Sequence, residues 1–176
     1  MVLLGLTLAI AAMAATDLRE DDCVVGTHRA FAGDWSVGMI ERVTPEGAAF
    51  ESTRWIETNR WIDPYTLVIE QRDAFDQLPR LVITETITAM GFDLIVERNG
   101  DRNAFPLPLE TSCTFDEETG LYRFNMGFAQ VVGGVPYDYL IQIEIDDDHY
   151  ALVRLRRPQG SSGERRMTST QFAHRP

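Results

Sequence analysis

The feature that most constrains this chain is the recurrence of branched and aromatic residues at period two, broken about every ten residues by turn signals. Arg80 to Met90 reads RLVITETITAM. Leu81, Ile83 and Ile87 share one face with Glu85, and Thr84, Thr86 and Thr88 take the other. Successive side chains of a strand point to opposite faces, and β-branched residues suit a pleated surface. Gly33 to Val43, Ala48 to Glu57, Tyr65 to Arg72 and Phe92 to Arg98 follow the same rhythm. Leu121 to Val132 gathers Tyr122, Phe124, Met126 and Phe128 on one side, and Val135 to Asp146 gathers Tyr137, Tyr139 and three isoleucines. His149 to Arg157 and Glu164 to His174 complete the set.

Between these runs stand Pro45-Glu46-Gly47, Asp63-Pro64, Asn99-Gly100, Gly133-Gly134 and Asp147-Asp148. Each supplies the fixed φ or the tolerance of positive φ that a tight reversal needs. Phe105 to Thr114 contains Pro106 and Pro108, which donate to no ladder, so this stretch is edge-like or irregular. No helix of three turns is predicted. Short connections imply an antiparallel meander, and about eight to ten strands in one domain close on themselves to remove exposed edges. The expected fold is all-β, a single antiparallel up-and-down barrel, with a two-sheet β-sandwich as the alternative.

The N-terminus speaks to location. Met1 to Ala15 is uncharged and apolar, too short to span a bilayer, and carries Ala12 and Ala14 as an A-x-A cleavage site. It reads as a signal peptide over 1–15, the alternative being a buried strand or helix. An entering segment follows over 16–32 and the barrel domain over 33–176. Cys23 comes after Glu20-Asp21-Asp22 rather than directly after the apolar run, which argues against a lipid anchor. The expected location is the periplasm or the exterior of a bacterium. In an oxidising compartment Cys23 and Cys113 would pair; otherwise they are two small core residues.

The 27 acidic residues outweigh the 16 basic ones, every one of them Arg, for a net charge of -11. Nucleic-acid phosphates would be repelled. His28, His149 and His174 are too scattered for metal-ligand spacing, so neither a metal nor a cofactor is expected. Nor is there a Gly-x-Ser-x-Gly, a His-Glu-x-x-His or a phosphate loop, and no catalytic residue is assigned.

Gly33-Asp34-Trp35 resembles the Gly-x-Trp that calycins, the lipocalin-like barrels, carry on their first strand. Asp116 to Phe124, with its Asp-x-x-Thr-Gly-x-Tyr-Arg-Phe pattern, looks like a bacterial group of secreted lipocalin-like proteins. The resemblance implies structural roles for Gly33 and Trp35, with the Trp closing the barrel base beneath an Arg from a late strand. Arg154, Arg156, Arg165 and Arg166 are the candidates. The haem-binding barrels of this superfamily are also similar, but His174 stands two residues from the chain end and is not carried over as a haem ligand.

The resemblance further implies a non-enzymatic protein that holds a small hydrophobic ligand in its barrel. The candidate ligand-binding residues are Trp55, Glu85, Phe92, Tyr137 and Tyr139. Glu85 stands apart because alternation puts it on an apolar face, where a carboxylate needs an inward Arg or another partner. A hollow barrel predicts an apolar cavity of a few hundred Å3 at one end, on the scale of ~300–1,000 Å3 usual for ligand sites. Two alternatives stand beside it: a filled barrel acting as a protein-interaction module, and an enzyme using an interior carboxylate of raised pKa.

Overall fold

The computed structural model describes residues 22–42, 50–73, 81–88, 91–98, 101–104 and 109–176. The expected signal peptide lies outside the described residues. One short helix, α1 (Cys23–Ala30), precedes eleven strands. They are β1 (Gly33–Arg42), β2 (Phe50–Asp63), β3 (Thr66–Asp73), β4 (Leu81–Thr88), β5 (Gly91–Arg98), β6 (Asp101–Ala104), β7 (Glu110–Asp116), β8 (Leu121–Val132), β9 (Val135–Ile145), β10 (His149–Pro158) and β11 (Arg166–His174).

All eleven belong to one antiparallel sheet in the order β6-β5-β4-β3-β2-β1-β11-β10-β9-β8-β7. The fold is therefore the up-and-down, curled single sheet expected, and not two stacked sheets. Strand number exceeds the expectation because the four-residue β6 and the edge strand β7 also join the sheet. β1 pairs with both β2 and β11 (Val37 opposite Trp55 and Ala173), so the first and last strands zip together. The discontinuity falls mid-chain: β6 and β7 are the sheet's two edges.

Helix α1 is the element that sequence periodicity did not foresee, since eight residues hold too few turns to display an apolar stripe. Asp22 caps it by accepting from the Val24 amide at 2.9 Å. It packs against β4 on one side and β7 and β8 on the other, reaching toward both halves of the sheet. The Cys23–Cys113 disulfide fastens it to β7 across 90 residues of sequence. Gly26 faces the Tyr122 ring so closely that a Cβ there would lie 2.5 Å from it. The bridge fits a location outside the reducing cytosol. Among the described residues no helix is long and apolar enough to cross a membrane.

The core follows the alternation read from the sequence. Trp35 and Val37 of β1, Phe124 and Met126 of β8, and Ile143 and Ile145 of β9 are buried together. Ile40 and Phe172, on the opposite faces of their strands, are exposed. β2 breaks the rule of apolar-inward. Its Ile56 is 51% exposed, whereas Glu57 and Asn59 are 3% and 2% exposed.

Candidate functional site

Two places in the barrel concentrate chemistry. The first is an interior polar cluster built from α1, β2, β3, β4 and β10. On β2 the inward face reads Trp55, Glu57, Asn59, Trp61, so two indoles bracket a carboxyl and an amide at period two. Four donors converge on the Glu57 carboxylate. Trp55 Nε1 donates at 3.2 Å, Asn59 Nδ2 at 2.9 Å and Gln71 Nε2 at 3.1 Å. The Tyr150 hydroxyl from β10 is the fourth. Asn59 Nδ2 also donates to the Phe31 carbonyl at the helix C-terminus, at 2.9 Å, while its own Oδ1 is buried without a hydrogen-bond partner.

Glu85 stands on β4 and is 5% exposed, inward as alternation requires. Its neighbour is not an Arg. His28 of α1, fully buried, places Nδ1 at 3.5 Å from Glu85 Oε2, a distance too long for a strong hydrogen bond. The His28 ring meets Trp61 edge-on, centroids 4.8 Å apart.

Burial dominates the protonation of this cluster. It pushes the Glu85 carboxyl up to about 8, with the negative charge of Glu57 adding to the rise. Burial also raises Glu57, but its four donors oppose that rise. The Tyr150 phenol is driven up by burial and then by the Glu57 charge. Burial lowers His28 to about 3. The four donors favour the negative charge of the pair on Glu57, and burial beside that charge favours the proton on Glu85, next to a neutral imidazole. Among the described residues, Glu85 lies against His28, and the hydrogen-bond partners of Glu57 are uncharged side chains.

The second place lies at the opposite end of the barrel from α1. There the β8–β9 turn at Gly133-Gly134 and the loop between β10 and β11 meet, joined by a Gln159 amide donating to the Pro136 carbonyl at 3.0 Å. A cavity of about 640 Å3 opens between Tyr137, Arg156 and that loop. Arg156 lies over the Tyr137 ring, 4.7 Å from its centroid, and donates to the Tyr139 hydroxyl at 3.3 Å. Tyr139 in turn stacks on Phe128 with ring planes 3° from parallel. The volume is on the scale expected for a ligand cavity, and arginines stand in its wall beside the apolar surface.

The five residues singled out in the sequence thus do not converge. Trp55 and Glu85 belong to the interior cluster, and Tyr137 and Tyr139 to the far end. Phe92 is described by its backbone alone, on β5 opposite Ile87. Sequence reasoning missed Glu57 and His28. The signal for Glu57 was available: Trp-x-Glu-x-Asn-x-Trp places it between two large rings on one face.

The base of the barrel carries the expected lid on Trp35, from an unexpected residue. None of Arg154, Arg156, Arg165 or Arg166 covers it. Arg175, past the end of β11, lays its guanidinium 4.0 Å from the indole centroid. Gly33 has φ +113°, which a side chain rarely adopts, and Arg175 occupies the space a Cβ would need. At the same end, Asp146 Oδ1 accepts from the amides of Asp148 and His149 at 2.8 and 2.7 Å, so this aspartate serves to build a turn.

No known protein-family profile matches the chain. No curated protein matches it either. Among solved structures it is similar to the crystal structure of Rv2717c from M. tuberculosis, at 12% identity and a TM-score of 0.44, over 88% of this chain and 98% of that one.

Proposed function

We propose that this is an exported, lipocalin-like barrel that binds a small, largely hydrophobic molecule without transforming it. The carrying observation is the Glu57–Glu85 pair, two carboxyls buried among Trp55, Trp61 and Tyr150. Sinking two carboxyls into a low-dielectric interior costs several kcal/mol unless hydrogen bonds or an opposite charge offset it. Buried carboxyls with perturbed protonation cluster at functional sites. They suit a ligand whose apolar body lies on the aromatic wall and whose one polar group, an amine or a hydroxyl, meets the acids. The Arg175 lid on Trp35 supports the calycin resemblance. The disulfide supports export to an oxidising compartment, the periplasm or beyond.

The test is a tryptophan-fluorescence titration with dodecylamine and with dodecanol. The amine is expected to bind about tenfold tighter than the alcohol, and Glu57→Gln, which removes the negative charge of the cluster, to erase that preference. No fluorescence response to either probe would overturn the reading.

A second reading draws on the Glu85–His28 contact. A protonated carboxyl beside a neutral imidazole is a proton donor next to a proton acceptor, the pairing an isomerase would use. Turnover of a bound ligand that is lost in Glu85→Gln would favour it over simple carriage.

A further inference from the structure

The cavity at the far end makes a demand that the interior acids do not answer. Arg156, Arg157, Arg165 and Arg166 all line it. The chain has sixteen basic residues and a net charge of -11, so a quarter of its cations stand around one hollow. Like charges held together repel, and arginine's planar fork of donors seeks oxygen acceptors.

The protein itself supplies few. Arg157 Nε lies 3.7 Å from Asp138 Oδ2, and Arg165 Nη2 lies 3.8 Å from Glu110 Oε1, both beyond hydrogen-bond reach. The Nε atoms of Arg157 and Arg165 are buried and have no hydrogen-bond partner. Arg156 spends one donor on the Tyr139 hydroxyl and lays its plane on the Tyr137 ring. Arg166 is exposed at the rim. Among the described residues, Glu164 is the one carboxylate in the cavity wall.

The loop that closes the cavity is shaped in advance. Gln159 is tied to Pro136, and the Ser161 amide donates to the Pro158 carbonyl at 3.1 Å. The Gly163 amide donates to Ser161 Oγ at 3.2 Å. Gly160 turns the chain with φ +77°. A preformed hollow of this volume suits a small molecule.

We infer that this cleft is a binding site for a small molecule carrying an oxyanion group, a phosphate or a carboxylate, on a flat apolar body. Arg156 and Arg166, directly opposite each other on β10 and β11, receive the oxyanion, and the Tyr137 face receives the body. Nucleic acid is disfavoured as the source of the phosphate, because the rest of a chain of charge -11 would repel a long polyanion. This site is separate from the interior carboxyls and does not depend on the function proposed for them.

The experiment is isothermal titration calorimetry of the disulfide-bonded protein at low ionic strength with phenyl phosphate, benzoate and benzyl alcohol. The expected result is that at least one of the two anions binds with a Kd below about 1 mM, while benzyl alcohol does not. The Arg156→Gln/Arg166→Gln double variant is expected to weaken anion binding by roughly tenfold or more. Arg166 is exposed, so Arg166→Gln alone folds normally and is expected to weaken binding by about threefold; this variant decides the matter if the double variant is misfolded. Phenyl phosphate bound over benzoate points to a phosphate ligand, and the reverse to a carboxylate. No heat from either anion, equal binding of the alcohol, unchanged affinity in Arg166→Gln, or binding to anionic vesicles without binding of the small anions would each overturn the assignment.

Discussion

Arg175 lies over Trp35 with its guanidinium carbon 4.0 Å from the indole centroid, and it ties the chain's end to its beginning. Nη1 donates to the Ala32 carbonyl at 2.7 Å, Nη2 to Ala30 at 3.2 Å and Nε to Asp147 at 2.8 Å. One planar group thus covers a buried ring and satisfies carbonyls at the helix end and the β9–β10 turn. Arg175→Ala is expected to lower unfolding free energy by about 2 to 3 kcal/mol, through the lost stacking and the orphaned carbonyls. Arg175→Lys recovers little, because an ammonium cannot address three carbonyls in one plane. Urea denaturation measures both.

Gly33 and Arg175 are coupled by space. Gly33→Ala puts a Cβ where the guanidinium lies and forces an L-residue to a φ of +113°. A loss of about 2 kcal/mol is expected from strain and displacement together. In the Arg175→Ala background the displacement part vanishes, so the double variant should be less destabilised than the sum of the two single variants.

The disulfide closes a separation of 90 residues and pins α1 to β7. Loop-closure entropy assigns about 4 to 5 kcal/mol to such a bridge. Dithiothreitol, or Cys23→Ser with Cys113→Ser, is expected to shift the denaturation midpoint downward by a matching amount. A midpoint insensitive to reduction would show that α1 holds its place without the bridge.

Stability should depend on pH in a way that identifies the interior cluster. Glu85 is raised to about 8 in the folded protein, so its contribution is full below its ordinary pKa near 4.5 and is lost as pH rises through about 8. His28 is lowered to about 3 from 6.5, so its contribution is full above 6.5 and is lost as pH falls toward 3. Between 4.5 and 6.5 the two slopes oppose each other, and between 6.5 and 8 the decline from Glu85 is no longer offset by His28, while the raised Glu57 acts in the same direction as Glu85. Wild-type stability is expected to decline across that upper window, and Glu85→Gln to flatten it. Denaturant midpoints taken at closely spaced pH values provide the readout.

Glu57 is the acceptor at the centre of the same cluster. Glu57→Ala leaves the Trp55, Gln71, Asn59 and Tyr150 donors facing an empty space. A loss of about 3 to 5 kcal/mol is expected, larger than a surface Glu→Ala change would give.

The alternation that made Glu85 legible is the same rule that hid Glu57. On β4 the inward face is apolar apart from one acid, so the acid stands out. On β2 the inward and outward faces are both mixed, and exposed Ile56 sits beside buried Glu57, so hydrophobicity alone points the wrong way. Gly33 and Trp35 were legible through the Gly-x-Trp resemblance, and Gly33 answers a backbone φ of +113°. Arg175 was not, because it lies beyond the last strand and reaches its partner only after β11 has zipped onto β1. His28 sits on a helix of eight residues, too short to mark its buried face by periodicity. The arginine cleft depends on how a loop folds over two strands, which no local pattern encodes.

The most direct test of the interior site is native mass spectrometry of the protein purified with its disulfide intact. The account predicts a retained small-molecule mass that disappears on denaturation and is absent from Glu85→Gln purified in parallel. A bare polypeptide mass for the wild type, together with no binding of dodecylamine added back, would contradict it.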